Sequence, residues 1–69
     1  MTQFVEVSRV RVSDSTEVVL SQVVPNDDGE VSGVNINPYI TSNRYTGFGK
    51  GVFIPTDKVD DFKKLVAEL

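Results

Sequence analysis

Gly47-Phe48-Gly49-Lys50-Gly51-Val52-Phe53-Ile54-Pro55-Thr56-Asp57, running on from Lys58 to Leu69, is the stretch that decides the fold. Three glycines mark a loop, a short apolar run follows, and a proline opens a helical pattern. Within residues 50–55, Val52 and Ile54 fall on one side and Phe53 on the other, which is the period of a strand. Thr56 stands where a helix N-cap belongs, and Asp57, Asp60 and Asp61 suit the positive end of a helix dipole. Val59, Phe62, Leu65, Val66 and Leu69 then recur at the i, i+3, i+6, i+7, i+10 spacing of one apolar helix face. Asp60 and Lys64 make a favourable i, i+4 pair.

Upstream of this stretch the patterning is that of strands. In residues 30–40, Val34, Ile36 and Ile40 share one face and Asn35, Asn37 and Tyr39 the opposite, polar one. Pro38 donates nothing to a ladder, so that end is an edge or a bulge. Thr41 to Gly49 reads as a polar, flexible loop that carries Arg44, Tyr45 and Phe48. Residues 16–24 are rich in β-branched side chains, with Val18, Leu20 and Val24 on one face and Val19 and Val23 on the other. In residues 4–13, Val5 and Val7 have one parity and Val10 and Val12 the other. Such a slip predicts a bulge near Ser8-Arg9, after which Arg9 and Arg11 share the face opposite Val10 and Val12. Asp14-Ser15 and Pro25-Asn26-Asp27-Asp28-Gly29 supply turns. The order is β-β-β-β-α. The expectation is one α+β domain over residues 1–69: a four-stranded curved antiparallel sheet followed by one C-terminal helix.

Composition narrows the chemistry. The chain has 69 residues and neither cysteine nor histidine. Disulfides, His/Cys zinc sites, cysteine nucleophiles and Ser-His-Asp triads are therefore excluded. A chain this short buries only about 60% of its unfolded surface and usually needs a staple. With disulfides and such metal sites removed, a homodimer is the staple expected. No apolar run approaches the ~20 residues that span a bilayer. No basic segment followed by an apolar core opens the chain, so a cytoplasmic protein without a membrane partner is the expectation.

The net charge is −3, which by itself disfavours a polyanionic partner. Distribution matters more. The acids gather at Asp27-Asp28-Gly29-Glu30 and in the helix, while Arg9, Arg11, Arg44 and Lys50 lie outside it. Together with Tyr45, Phe48 and Phe53 they have the character of a single-strand binding surface, on which cations follow phosphates and rings stack bases. Glycines at 47, 49 and 51 would let a backbone approach closely. The plainer alternative is a solvated sheet face with scattered aromatics. The glycine loop lacks the Gly-Lys-Ser/Thr ending and the following helix of a nucleotide-triphosphate site. The acidic turn lacks the spacing of a calcium loop. The helix carboxylates are accounted for by the dipole, and no complete catalytic set is present, so neither an enzyme nor a cofactor is expected.

Val34-Asn35-Ile36-Asn37-Pro38-Tyr39, then Gly49-Lys50-Gly51-Val52-Phe53-Ile54-Pro55, then Lys58-Val59-Asp60-Asp61-Phe62-Lys63-Lys64-Leu65 resemble the transcriptional coactivator family of positive cofactor four and its small bacterial and phage relatives. That family shows an apolar-Asp-Ile-Arg-x-Tyr/Trp strand, a variable loop, Lys-Gly-apolar-x-Leu, and a proline-started helix. The order and approximate spacing match over residues 30–69. The resemblance implies a dimer formed through helices and sheets that binds single-stranded DNA with little sequence preference. It makes Lys50 the family's lysine before glycine and Tyr39 its third-strand aromatic, and it places Arg9 and Arg11 in a strand that is often basic. The chain departs from the pattern in having Asn37 for the usual Arg and Val59 for the usual Trp.

Taken together, the sequence points to a homodimer that binds single-stranded DNA or RNA through Arg9, Arg11, Tyr39, Arg44, Tyr45, Phe48, Lys50 and Phe53. It would act in transcription, replication or recombination. Val59, Phe62, Leu65, Val66 and Leu69 would form the dimer seam. The alternative is a protein–protein interaction module of the same fold.

Overall fold

Strands form where the β-branched residues cluster. In the computed structural model, which describes residues 1–26 and 29–69, they are β1 (Gln3–Ser13), β2 (Thr16–Val24), β3 (Gly33–Thr41), β4 (Thr46–Phe48) and β5 (Val52–Pro55). A 3-10 turn over Thr56–Lys58 leads into the helix α1, Val59–Val66. All pairings are antiparallel: β1 with β2, and β2 with β3. The far edge of β3 is shared, by β4 along Tyr39–Thr41 and by β5 along Gly33–Ile36.

The class is α+β as expected, but the sheet has a short fifth strand and is not strongly curled, in a slab of 38 × 35 × 16 Å. The extra strand, Thr46-Gly47-Phe48, lies inside the segment read as loop. Three residues with a central glycine carry no period-two signal, so only pairing with β3 makes them a strand. β3 starts at Gly33 instead of residue 30, and β5 at Val52 instead of residue 50. The acidic turn read at 27–30 falls partly on Asp27 and Asp28, which lie outside the described residues.

The phase slip in β1 is present, a little earlier than its valines suggest. Phe4 and Glu6 pair with Val23 and Ser21, then Ser8 and Arg9 pair with Leu20 and Val19, leaving Val7 as the extra residue. A second shift lies between Arg11 and Ser13. Because side chains alternate, the Val7 bulge returns Arg9 and Arg11 to the face already occupied by Phe4 and Glu6.

Register then sorts the sheet into two faces. The open face carries Phe4, Glu6, Arg9 and Arg11 of β1, then Glu17, Val19, Ser21 and Val23 of β2. It continues through Gly33, Asn35, Asn37 and Tyr39 of β3 to Phe48 of β4 and Phe53 of β5. The helix face carries Val10, Val18, Leu20, Val34, Ile36 and Ile54. There Phe62 of α1 borders an open apolar cleft together with Val10, Val18, Leu20 and Ile36.

The core is small. Among the described residues its buried apolar members are Val19, Val23, Val24 and Ile54. Val59 and Phe62 are half-buried against the sheet, whereas Leu65, Val66 and Leu69 are exposed, with Leu65 at 66%. Thr56 does not act as the expected N-cap. Its backbone N–H and its hydroxyl both donate to the Ser32 carbonyl, at 3.2 and 3.4 Å, which fastens the helix start to the segment before β3. The N-cap position of α1 falls on Lys58, two residues later, and has no side-chain cap. Asp60 and Asp61 do lie in the first turn of α1. No ion pair joins Asp60 to Lys64 among the described residues.

Gly33 is required by close approach. A Cβ there would lie 2.4 Å from the Ile54 carbonyl oxygen and 2.8 Å from the Phe53 ring. Backbone at that distance cannot give way without breaking the β3–β5 pairing. Gly33→Ala is therefore expected to destabilise the fold by about 1–3 kcal/mol, the range for overpacking. A urea titration checks this, and an unchanged midpoint would contradict the account.

Candidate nucleic-acid interface

The open face is built around Arg9. The bulge at Val7 sets it across from Val19, and β3 brings Tyr39 close, so that the guanidinium carbon lies 5.5 Å from the Tyr39 ring centroid. Tyr39 in turn meets Phe48 edge-on, with centroids 5.0 Å apart and planes at 70°. A cation and two rings thus adjoin one another across the sheet, in the T-shaped and cation–π geometries that such groups favour. Phe53 leans over Gly33 on the same face.

Arg9 is also held by acids. Its Nε and Nη2 donate to the two carboxylate oxygens of Glu6 at 2.8 and 2.6 Å, and its Nη1 donates to Glu17 Oε1 at 3.1 Å. Hydrogen bonding from Arg9 holds the Glu6 carboxyl below its ordinary range, and the same bonds, to Glu6 and then Glu17, raise Arg9 above its own. Arg11 Nη2 lies 3.9 Å from the other Glu17 oxygen, and Arg11 Nη1 donates to the Asp14 carbonyl at 3.2 Å. The two arginines of β1 therefore share their surface with two carboxylates, which makes this patch charge-balanced.

Arg44 and Lys50 are different. They sit on the connections at either end of β4, and neither has an ion pair among the described residues. The turn that carries Arg44 is tied by hydrogen bonds: Ser42 N–H and Oγ–H donate to the Tyr45 carbonyl at 2.8 and 2.9 Å, and Tyr45 N–H donates to Ser42 Oγ at 3.0 Å. Tyr45 donates its hydroxyl to the Phe48 carbonyl at 2.6 Å while its ring stays half-exposed. Lys50 is flanked by anchored glycines. Gly49 N–H donates to the Pro38 carbonyl at 2.8 Å, and a Cβ on Gly51 would collide with the side-chain amides of Asn37 and Asn35. Gly51 thus serves contact with β3 as well as any role beside Lys50.

Of the residues expected from sequence, Arg9, Arg11, Tyr39, Phe48 and Phe53 share the open face by register. Phe4 is an addition. It is 62% exposed and, with Phe48, borders a cavity floored by Ser21, Asn35 and Asn37. The phase slip in β1 was the available signal, because the bulge places Phe4 on the side of Arg9.

No protein-family model, curated protein or solved structure shows significant similarity to the chain.

The Arg9–Glu6 pairing has a direct test. A depressed carboxyl pKa contributes stability that is present above the unfolded value and is lost as pH falls through the folded one. In Arg9→Gln, the Glu6 midpoint followed by carboxyl-carbon NMR is expected to move up toward the ordinary 4.5. An unmoved midpoint would show that Arg9 does not set it.

Proposed function

We propose that the protein binds single-stranded DNA or RNA, with little dependence on sequence, across its open sheet face. The observation that carries this reading is the adjoining set Arg9, Tyr39 and Phe48, with Phe4 and Phe53 exposed on the same face. Exposed rings on a sheet give bases a stacking surface, and Arg44 and Lys50 supply cations free to meet phosphates. The short motif resemblance to the coactivator family agrees with this reading, as does the order of strands before a terminal helix. Roles in transcription, replication or recombination would follow from such binding.

A second copy completes the proposal. A compact monomer of 7.6 kDa exposes about 4,300 Å², whereas this chain exposes 5336 Å². The excess of about 1,000 Å² is comparable to the ~800 Å² that each partner buries in a standard interface. The radius of gyration, 13.3 Å, likewise exceeds the about 11 Å of a compact chain of this length. The apolar surface in question is the helix face: Val10 and Val52 on the sheet, Leu65, Val66 and Leu69 on and beyond the helix. Val59 and Phe62 would extend the seam from beneath.

One observation favours the protein-interaction reading instead. Arg9 and Arg11 lie beside Glu6 and Glu17, so a strand of phosphates would have to compete with carboxylates already in place. A protein partner bearing both signs of charge would not.

Fluorescence titration of labelled oligo-dT separates the two. With Arg9, Arg11, Arg44 and Lys50 each neutralising a phosphate, the log–log salt slope is expected near −3 per protomer, from about −0.7 per contact. Phe48→Ala is expected to cost about 1–3 kcal/mol of affinity, the worth of one stacked base. An absence of binding at micromolar protein and low salt would leave the interaction module as the reading. Sedimentation equilibrium tests the dimer: a mass of twice 7.6 kDa is expected, falling to a single chain in Leu65→Glu. A wild-type mass of one chain at tens of micromolar would overturn the seam.

A further inference from the structure

We infer that the free edge of β1 docks the β1 edge of a second copy, paired antiparallel about a two-fold axis between Val7 and Ser8. The contact adds to the helix seam and does not rest on the nucleic-acid reading. β1 ends the sheet: among the described residues it pairs with β2 alone, which leaves its other edge open. Every residue from Gln3 to Ser13 is exposed. Phe4, Val5, Val7, Val10 and Val12 put large apolar side chains along it. An unpaired row of backbone donors and acceptors is a template for another strand.

The order of residues along β1 is self-complementary about that axis. A two-fold contact uses the same patch twice, so the patch must match itself. Pairing Val7 with the partner's Ser8 sets Glu6 opposite the partner's Arg9. It also sets Val5 opposite the partner's Val10 and Phe4 opposite the partner's Arg11. Opposed residues must share a face of the sheet. Phe4, Glu6, Arg9 and Arg11 all lie on the open face, while Val5, Ser8 and Val10 lie on the helix face through their β2 partners Gln22, Leu20 and Val18. The bulge makes this match possible, because strict alternation would put residues 6 and 9 on opposite faces. Sliding the partner by one residue sets Glu6 against its Ser8 or its Val10, across faces. Sliding by two sets Ser8 against the partner's Arg9 one way and Glu6 against the partner's bulged Val7 the other. One register therefore matches the whole stretch, the condition for a specified pairing.

Charge favours the same register. Within one chain Arg9 donates three N–H groups, to both oxygens of Glu6 and to Glu17. A guanidinium has five, so one hydrogen on each terminal nitrogen remains for the partner's Glu6. The axis gathers two Glu6 and two Arg9 in alternation, each charge beside two of opposite sign. At the ends of the stretch the partner's Arg11 meets the exposed Phe4 ring, a cation–π pairing. Because faces match, both open faces lie on one side, and the run of rings and arginines continues from one copy into the next. Each cross-strand pair contributes little, and backbone groups exchanging water for one another gain only modestly. The edge contact is thus weaker than the helix seam, and it closes above the tens of micromolar at which the seam holds.

Leu65→Glu, which blocks the helix seam at an exposed position, isolates the edge. As that protein is raised from tens of micromolar to millimolar, its sedimentation mass is expected to climb toward two chains. Over the same range the amide NMR signals of β1 are expected to shift while those of β4 and β5 stay. In this background Glu6→Arg and Arg9→Glu each set like charges across the axis and are expected to weaken pairing at least tenfold. Their equimolar mixture restores both cross-strand charge pairs and is expected to associate within threefold of the parent. Mixing cannot restore the Glu6–Arg9 contact inside either chain, so the rescue reports a contact between chains. Wild-type protein at millimolar concentration is expected to exceed the mass of two chains, a readout that does not depend on Leu65→Glu. A mass that stays constant in both proteins, unmoved β1 signals, or a mixture no better than its components would overturn the edge pairing. With no nucleic acid present, such a result leaves the nucleic-acid reading standing.

Discussion

One extra residue in β1 sets the chemistry of both faces of the sheet. Val7 has no partner in β2, and the side chains beyond it are turned by one step. Without that step, Arg9 and Arg11 would continue on the side of Val5 and lie on the helix face among Val18, Leu20 and Ile36. With it, they join Phe4 and Glu6, Val10 joins the apolar helix face beside Val18 and Leu20, and Arg9 comes within reach of Tyr39. The bulge thus supplies the apolar face and the charged aromatic face at once. A strand of strict alternation could not have done so with this order of residues.

The consequences for stability follow from how little is enclosed. Val19, Val23, Val24 and Ile54 are a slender core for any fold, and two of them, Val19 and Val23, lie on the open side beneath β1 and β3 neighbours. The helix contributes two half-buried residues and leaves three apolar ones in solvent. In a domain of this size that imbalance bears directly on survival as a monomer, because single cores of such chains yield only a few kcal/mol. The same physical fact motivates the proposed pairing of two copies. It also frees the opposite face, which has no helix, to remain open.

Much of this was legible in the residues themselves. The β-branched run 16–24 gave a strand with the observed ends, and the parity slip among Val5, Val7, Val10 and Val12 foretold a bulge within two residues of its place. The five-residue apolar stripe foretold the helix. What sequence reasoning missed has physical causes. β4 is too short to show a period. Thr56 donates its hydroxyl to the Ser32 carbonyl, 24 residues away, and does not cap its own helix. The carboxylates facing Arg9 come from Glu6 on its own strand and Glu17 on the next, so register and not spacing brings them together.

Sequence alone determined the class of the fold, because period and punctuation are local properties that each segment carries with it. It also excluded cysteine and histidine chemistry outright. Only the tertiary structure decided which side chains meet. Arg9 is shared among Glu6, Glu17 and Tyr39 because β2 and β3 lay them side by side. Gly51, which in sequence reads as part of a phosphate-like loop, is fixed instead by the amides of Asn35 and Asn37 across the β3–β5 pairing. Such contacts depend on strand register. Register is set by the sum of many weak pairings along the sheet, and no short stretch of the chain records it.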